Sequence, residues 1–174
     1  VYSIDEAWLD LTGFDPSGLL EYGKEIVKTT ERDTTIPISI GIASTKVLAK
    51  VANRTCKKLK CTDKVFMFAD QQEADTILKT FGVSDIWGIG RRLAKRLQAN
   101  HIHTAYDLQQ CDPDDMRKQY NVVMQRLILE LRGIPCLHCE DVEPKKQIVS
   151  SRSFGNKITD IDAMLQSISS HATI

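Results

Sequence analysis

Two adjacent carboxylates lie among apolar residues in the stretch Tyr2-Ser3-Ile4-Asp5-Glu6-Ala7-Trp8-Leu9-Asp10-Leu11-Thr12-Gly13. Successive side chains of a regular strand point to opposite faces, so Asp5 and Glu6 reach one site only if the backbone bends there. Two converging carboxylates repel each other unless a cation lies between them, and hard oxygen ligands suit Mg²⁺. The stretch predicts two strands joined by a bend that carries a metal site; the alternative is a solvated acidic turn.

The composition is that of a globular protein. The chain has 174 residues, of which 42% are apolar and 26% are charged. This length suits one ordinary domain or two small ones. The chain has no apolar run long enough to cross a bilayer and no signal peptide, so we expect a cytoplasmic location. It begins without methionine, directly at the acidic stretch, which suggests a piece of a longer protein.

The charges are unevenly distributed although the formal net charge is zero. Residues 1–45 are acidic, whereas residues 46–64 contain seven basic residues and one acidic residue, Asp63. A second basic group follows in residues 91–96. Two local basic patches on a neutral chain indicate contacts with phosphate at defined places.

The basic segment starts where a strand is predicted to end. Alternating apolar residues predict a strand over residues 36–42, and Ser44-Thr45 then caps a helix that starts at Lys46. Free N–H groups and the positive end of the helix dipole favour phosphate at such a helix start, so Thr45 and Lys46 are candidate phosphate-binding residues. For four of the basic side chains that follow we favour the alternative, a solvated surface: Arg54, Lys57, Lys58 and Lys60.

A Gly-x-Gly loop lies between two predicted short helices in residues 83–97. Glycines permit an unusual backbone turn and let N–H groups approach a phosphate closely. The pattern resembles a helix-hairpin-helix, which binds the DNA backbone without reading sequence. An ordinary helical hairpin is the alternative. The candidate DNA-binding residues are Gly88, Ile89, Gly90, Arg91 and Arg92.

The remaining elements are predicted from periodicity and capping residues. We expect helices over residues 17–32, 70–81, 105–111, 113–120, 122–132 and 160–172, and strands over residues 65–68 and 148–154. The five cysteines are expected to be reduced thiols. Cys136 and Cys139 have a metal-like spacing, but no second close pair completes four ligands, so zinc is not predicted.

Two motifs together indicate a family. The stretch around Asp5 and Glu6 resembles the palm motif of Y-family translesion DNA polymerases. At the expected distance, Ser39-Ile40-Gly41-Ile42-Ala43-Ser44-Thr45-Lys46-Val47-Leu48-Ala49-Lys50-Val51-Ala52-Asn53 resembles the second palm motif of that family. Three further stretches are similar to the UmuC-type branch: Trp87-Gly88-Ile89-Gly90-Arg91-Arg92, Glu130-Leu131-Arg132-Gly133 with Pro135-Cys136-Leu137, and Ser151-Arg152-Ser153-Phe154-Gly155. The resemblance covers nearly the whole chain.

The resemblance implies an α+β fold in four parts. Residues 1–70 would be the C-terminal part of a palm, with an antiparallel or mixed sheet and helices. Residues 71–139 would be a small helical thumb with the helix-hairpin-helix, residues 140–147 a linker, and residues 148–174 the start of a little finger. The fingers, the first catalytic aspartate and the steric-gate residue would precede this segment, and most of the little finger would follow it.

The resemblance also implies a function, an error-prone translesion DNA polymerase in DNA repair and the SOS response. Template-directed nucleotidyl transfer past damage would use two Mg²⁺ ions, with Asp5 and Glu6 as catalytic metal-binding residues. Lys46 and Thr45 would bind the incoming nucleotide, with Lys46 at its triphosphate. The implied partners are primer–template DNA, dNTP, a UmuD′-like accessory subunit, a RecA filament and a sliding clamp. The alternative is a noncatalytic helix-hairpin-helix DNA-binding module. The fragment alone is predicted to be inactive.

Overall fold

The structure, a computed structural model, describes residues 5–137, 149, 151 and 153–172. The chain divides into two compact units, Val1–Cys139 and Glu140–Ile174. The described elements of the first unit are, in chain order, α1 (Leu19–Thr34), β1 (Ile40–Ile42), α2 (Lys46–Leu59), β2 (Val65–Met67), α3 (Gln71–Leu78), α4 (Arg91–Ala99), α5 (Ala105–Gln110), α6 (Pro113–Gln119) and α7 (Val122–Leu131). The second unit contains α8 (Ile161–Ala172). The fold is thus mixed α and β, as the sequence predicts.

The two described strands form a parallel pair. Ile40 is opposite Val65, Gly41 opposite Phe66 and Ile42 opposite Met67. Parallel strands need a crossover, and α2 supplies it. The strand predicted over residues 36–42 is shortened at its start, because only residues 40–42 have a described strand as a neighbour.

The second strand predicted after the acidic pair is wrong. The backbone bends at Asp5, but residues 6–11 belong to no strand. A strand needs a hydrogen-bonded neighbour, and no described segment pairs with these residues; the carbonyl of Leu11 instead accepts the N–H of Phe14 at 3.1 Å, in a turn. The strand predicted before the pair includes residues 2–4, which lie outside the described residues.

Helix α2 lies directly on β1, and Gly41 makes this contact possible. A Cβ atom at Gly41 would lie 2.2 Å from both the carbonyl oxygen of Ala49 and the backbone nitrogen of Asn53. The Asn53 side chain donates a hydrogen bond to the carbonyl of Ser39 at 2.5 Å. Helix α2 is therefore packed so closely on β1 that a side chain at position 41 would have no space.

A continuous hydrophobic core joins α2 to the helices that follow. Val47, Leu48 and Val51 of α2 pack in one cluster with residues such as Leu78, Leu97, Leu108, Ile128 and Leu131. The boundary predicted at residue 70 lies within this unit, so the proposed palm and thumb segments share packing contacts.

Local capping residues explain most helix boundaries. Thr45, Asp70, Thr104, Asp112 and Asn121 each accept a hydrogen bond from a first-turn N–H of the helix that they precede, so α2, α3, α5, α6 and α7 start where predicted, within a residue.

The sequence-based boundaries are wrong in several places; helix α3, for example, ends at Leu78 and not at residue 81. Ser17 does not cap α1; it lies in a 3₁₀ turn, Pro16–Gly18, that Asp15 caps. The first predicted helix of the hairpin is only a 3₁₀ turn, Val83–Asp85. The described residues of the segment 148–154 form no strand. In the second unit α8 is confirmed, and its predicted apolar face, which includes Ile161, Leu165 and Ile168, is exposed.

The described cysteines are Cys56, Cys61, Cys111 and Cys136, and all four are free thiols. Burial, together with a hydrogen bond to the Cys61 thiol, raises the pKa of Cys56 to about 11. His138 and Cys139, the rest of the metal-like spacing, and the predicted linker at residues 140–147 lie outside the described residues. None of the described helices has the length and apolar content that crossing a membrane requires.

Candidate functional site

One face of α2 lies against the acidic segment. The Lys50 ammonium forms an ion pair with the Glu6 carboxylate. One turn earlier, Lys46 Nζ lies 6.0 Å from the centre of the Trp8 ring. Residues four apart share a helix face, so the two lysines contact two residues of the same extended segment. The two sequence motifs therefore meet in the fold.

The carboxylates at the bend have the chemistry of a magnesium site but supply only part of one. Asp5 is exposed, and 34% of the Glu6 side chain is exposed. Carboxylate oxygens are the ligands that Mg²⁺ prefers. Glu6 already shares its charge with Lys50, and among the described residues no group of three or more His, Cys, Asp or Glu side chains could hold a metal ion. The described residues could thus provide some of the ligands that a Mg²⁺ ion needs, but they do not complete its coordination.

The start of α2 differs from the prediction of free N–H groups. The N–H of Val47 donates to Glu130 Oε2 at 3.2 Å, and the N–H of Leu48 donates to Thr45 Oγ1 at 3.2 Å. Thr45 itself is buried, and its hydroxyl donates to the carbonyl of Glu130 at 2.8 Å. These bonds occupy the Thr45 hydroxyl and the N–H groups of Val47 and Leu48. The phosphate-binding role expected of these three groups is therefore not available to them in this structure.

Two tryptophans connect the acidic segment with the Gly-x-Gly loop. The ring centres of Trp8 and Trp87 are 5.7 Å apart at an interplanar angle of 56°. Tilted aromatic pairs at such distances are favourable beyond their burial alone. The Trp8 indole nitrogen is buried and has no hydrogen-bond partner among the described residues. The contact places the residue before Gly88 against a residue two positions after Glu6.

The loop uses its two glycines differently. Gly88 has φ of +90°, a conformation that favours glycine. Gly90 has φ of −80° and ψ of 168°, which any residue adopts, and an added Cβ atom there would meet nothing within 4 Å. Ile89 is buried, and its N–H donates to the carbonyl of Ile86 at 3.1 Å. Ile89 is thus part of the core, as its apolar side chain suggests, and its N–H is bonded within the chain.

Helix α4 starts with an uncompensated positive end. No side chain caps it at Gly90, its first turn contains no acidic residue, and Arg91 and Arg92 are exposed there. Within the described part of the chain, neither arginine forms an ion pair or a side-chain hydrogen bond. Arg96, in contrast, donates to the carbonyl of Gln119 at 3.0 Å and lies 4.3 Å from the centre of the Tyr120 ring. Arg91 and Arg92 are therefore exposed to solvent, whereas Arg96 packs against neighbouring residues.

Sequence reasoning missed three residues of this region. Lys50 follows Lys46 by four residues, and this spacing was sufficient to place both on one helix face. Trp87 carried no such signal, because its contact with Trp8 joins distant parts of the chain. Glu130 follows an apolar run in α7, and nothing in its local sequence indicates a buried carboxylate that contacts α2.

Comparisons with known proteins agree with these features. Residues 1–54 match the model of the impB/mucB/samB family, and residues 72–102 match the IMS family HHH motif. Protein UmuC of Salmonella typhimurium is 44% identical, over 99% of this chain and 42% of its own length. DNA polymerase IV 1 of Bacillus subtilis is 32% identical, over 90% of this chain and 36% of its own length.

A solved structure shows the same fold. The crystal structure of DinB from Sulfolobus solfataricus matches 75% of this chain and 38% of its own, with a TM-score of 0.57 and 25% sequence identity. The chain spans about two fifths of the length of the curated relatives it matches. Two family models in the expected order, relatives along nearly the whole chain and a matching fold lead to one conclusion. The chain belongs to the Y-family of DNA polymerases.

Proposed function

We propose that the protein to which this chain belongs is a translesion DNA polymerase that transfers nucleotides to a primer end opposite damaged template bases. The observation that carries the proposal is the contact of α2 with the acidic segment, in which Lys50 pairs with Glu6 and Lys46 lies over Trp8. A cationic helix face beside two carboxylates suits a reaction that joins a metal-bound primer end to a triphosphate.

The residues of this chain have separate roles in the proposed reaction. When bound, two Mg²⁺ ions would activate the primer 3′-hydroxyl and stabilise the departing pyrophosphate. Asp5 would hold metal, and Glu6, which pairs with Lys50, would lie beside it. Lys46 offsets the negative charge of the triphosphate through its side chain. Thr45 serves the site by capping α2 rather than by contacting the nucleotide.

The thumb contribution is a sequence-independent grip on DNA. Arg91 and Arg92 at the uncapped start of α4 contact backbone phosphates, and Gly88 sets the turn that presents them. The proposal includes an SOS role in DNA repair with a UmuD′-like subunit, a RecA filament and a sliding clamp as partners. These follow from the family resemblance alone.

Primer extension by the full-length protein tests the proposal. We expect Mg²⁺-dependent incorporation of dNTP, with Asp5→Ala lowering kcat/KM by at least about 100-fold, the scale for losing metal-site residues. Lys46→Ala should raise the KM for dNTP about 10- to 100-fold, as for the loss of a hydrogen bond to a charged group, while DNA affinity stays unchanged.

Two exposed residues provide matched controls. Asp33→Ala removes a carboxylate that pairs with Arg32 at the end of α1, and Lys58→Ala removes an ammonium from the far end of α2. Neither change should alter incorporation. DNA binding by the full-length protein without any incorporation would instead identify a noncatalytic binding module, and collapsed DNA affinity in Lys46→Ala would assign that lysine to a different phosphate.

A further inference from the structure

The carboxylate of Glu130 is completely buried and takes three backbone hydrogen bonds. Its Oε1 atom accepts the N–H groups of Cys136 at 2.6 Å and Leu137 at 2.9 Å. Its Oε2 atom accepts the N–H of Val47 at 3.2 Å. No described cation forms an ion pair with it. A buried carboxylate is costly unless it is hydrogen-bonded in this way, so these bonds are what make its burial tolerable.

Glu130 holds the backbone on both sides of Lys46. The residue before Lys46, Thr45, donates its hydroxyl to the Glu130 carbonyl at 2.8 Å. The residue after Lys46, Val47, donates its N–H to the Glu130 side chain. A negative charge at a helix N-terminus is also favoured by the helix dipole. One residue of α7 therefore fixes the position and direction of the first turn of α2.

We propose that Glu130 is a positioning residue for nucleotide binding, because it holds the start of α2 so that Lys46 points toward the acidic segment. The inference rests on the proposed function of Lys46. Glu130 lies in the predicted thumb and Lys46 in the predicted palm. Through this contact, the orientation of the palm lysine depends on a residue of the thumb.

The Glu130→Gln variant tests whether Glu130 positions the start of α2 or only stabilises the fold. Glutamine has a single acceptor oxygen, and the two N–H groups of Cys136 and Leu137 favour placing that oxygen toward them. The amide NH₂ then faces the N–H of Val47, where two donors meet. Glu130→Gln thus breaks the contact with α2 selectively and keeps the shape of the side chain.

Gln109 offers a matched control. It is almost as deeply buried as Glu130 and also bonds α7, donating to the carbonyl of Leu131 at 2.9 Å and to Asp75 at 2.7 Å. Among the described residues it forms no hydrogen bond with α2. Gln109→Ala should lower the thermal unfolding midpoint without changing nucleotide use. If lower stability alone impaired nucleotide use, Gln109→Ala would impair it as well.

The experiment is a double-mutant cycle in the full-length protein, with KM for dNTP, kcat and primer–template affinity measured for each variant. We expect Glu130→Gln to raise the KM for dNTP about 3- to 10-fold, within the range of coupled contacts, with DNA affinity unchanged. In the Lys46→Ala background the same change should add almost nothing. Thr45→Val, which removes the hydroxyl bonds, should act in the same direction and serves if Glu130→Gln does not fold.

The outcomes distinguish this inference from the proposed function. An impaired Lys46→Ala variant beside Glu130→Gln and Thr45→Val variants with unchanged KM overturns the inference alone. An additive effect in the Lys46→Ala background, or an equal effect of Gln109→Ala, also overturns it, because both mean that stability is the cause. An active polymerase in which Lys46→Ala leaves KM unchanged overturns the role proposed for Lys46 and this inference with it.

Discussion

Gly88 and Gly90 are two positions apart in one loop, yet the structure gives them different constraints. Gly88 has φ of +90°, whereas Gly90 has ordinary extended backbone and open space around it. The motif alone gives both the same mechanical role, because it shows residue types and not dihedral angles. The structure therefore suggests two separate hypotheses, a folding role for Gly88 and a binding role for Gly90.

The folding role belongs to Gly88. Alanine in a left-handed conformation costs about 1–2 kcal/mol, so Gly88→Ala should lower the thermal unfolding midpoint of the protein. Gly90→Ala should leave the midpoint unchanged. Thermal unfolding followed by circular dichroism measures both. Equal midpoints for the two variants would show that the loop does not keep this backbone conformation.

The binding role stays with Gly90. A valine there should retain the fold but prevent close approach of the α4 start to a phosphate, which lowers primer–template affinity with little dependence on sequence. Fluorescence anisotropy with two unrelated primer–template sequences measures this. Unchanged affinity in the folded Gly90→Val variant would remove the loop from the DNA interface.

The elements show which parts of the fold are predictable from the sequence. Thr45, Thr104 and Asn121 cap the helices that follow them, and such bonds join residues two or three positions apart. Helix starts were therefore accessible from short stretches. The parallel pairing of β1 with β2, the Trp8–Trp87 contact and the Glu130 contact join distant residues, so no local pattern contains them.

The first predicted strand pair shows the same limit. The apolar residues around Asp5 and Glu6 have strand character, but a strand also requires a neighbour, and the described residues supply none. In contrast, side-chain contacts join the two sequence motifs of the candidate site. Lys50 reaches Glu6, and Lys46 reaches Trp8, from a helix whose start was predicted correctly.

Helix α4 carries a prediction about salt dependence. Each arginine that neutralises a DNA phosphate contributes about 0.9 to the slope of log affinity against log salt. Arg91→Ala and Arg92→Ala in the full-length protein should each weaken primer–template binding and make this slope shallower by about one unit. Lys118→Ala removes an exposed charge that pairs with Asp115 on α6, and it is the control. A slope that changes equally in the control would assign the effect to net charge alone.

At the scale of the whole molecule, the charges are mostly balanced within the chain. The formal net charge is zero, and the basic patch of residues 46–64 is partly neutralised by acids from elsewhere. Lys50 pairs with Glu6, Arg54 with Asp85 at 3.5 Å and Lys64 with Glu31 at 2.5 Å. The hydrogen bond from Lys64 lowers the pKa of Glu31. Arg91 and Arg92, which form no ion pair with any described residue, are therefore better candidates for DNA contact than most of the first basic patch.

The same balance bears on what residues 1–174 can do alone. Two-metal transfer needs enough carboxylate charge to hold both ions close together. Asp5 and Glu6 supply only part of that charge, and the Lys50 ion pair offsets some of it. Asp10 is no substitute, since its carboxylate accepts hydrogen bonds from the backbone and hydroxyl of Thr12 at 2.9 and 2.6 Å.

Purified residues 1–174 should therefore show no primer extension with Mg²⁺ and dNTP. We expect the full-length protein to extend the primer and to lose this activity on Asp5→Ala. A gel-based extension assay with both preparations checks the expectation. The Asp5→Ala form of the 174-residue chain controls for contaminating polymerase, because a contaminant would extend the primer equally in both samples. Extension by the 174-residue chain that disappears in this variant would show that Asp5 and Glu6 hold the metal without further carboxylates, and the proposed ligand set would then be wrong.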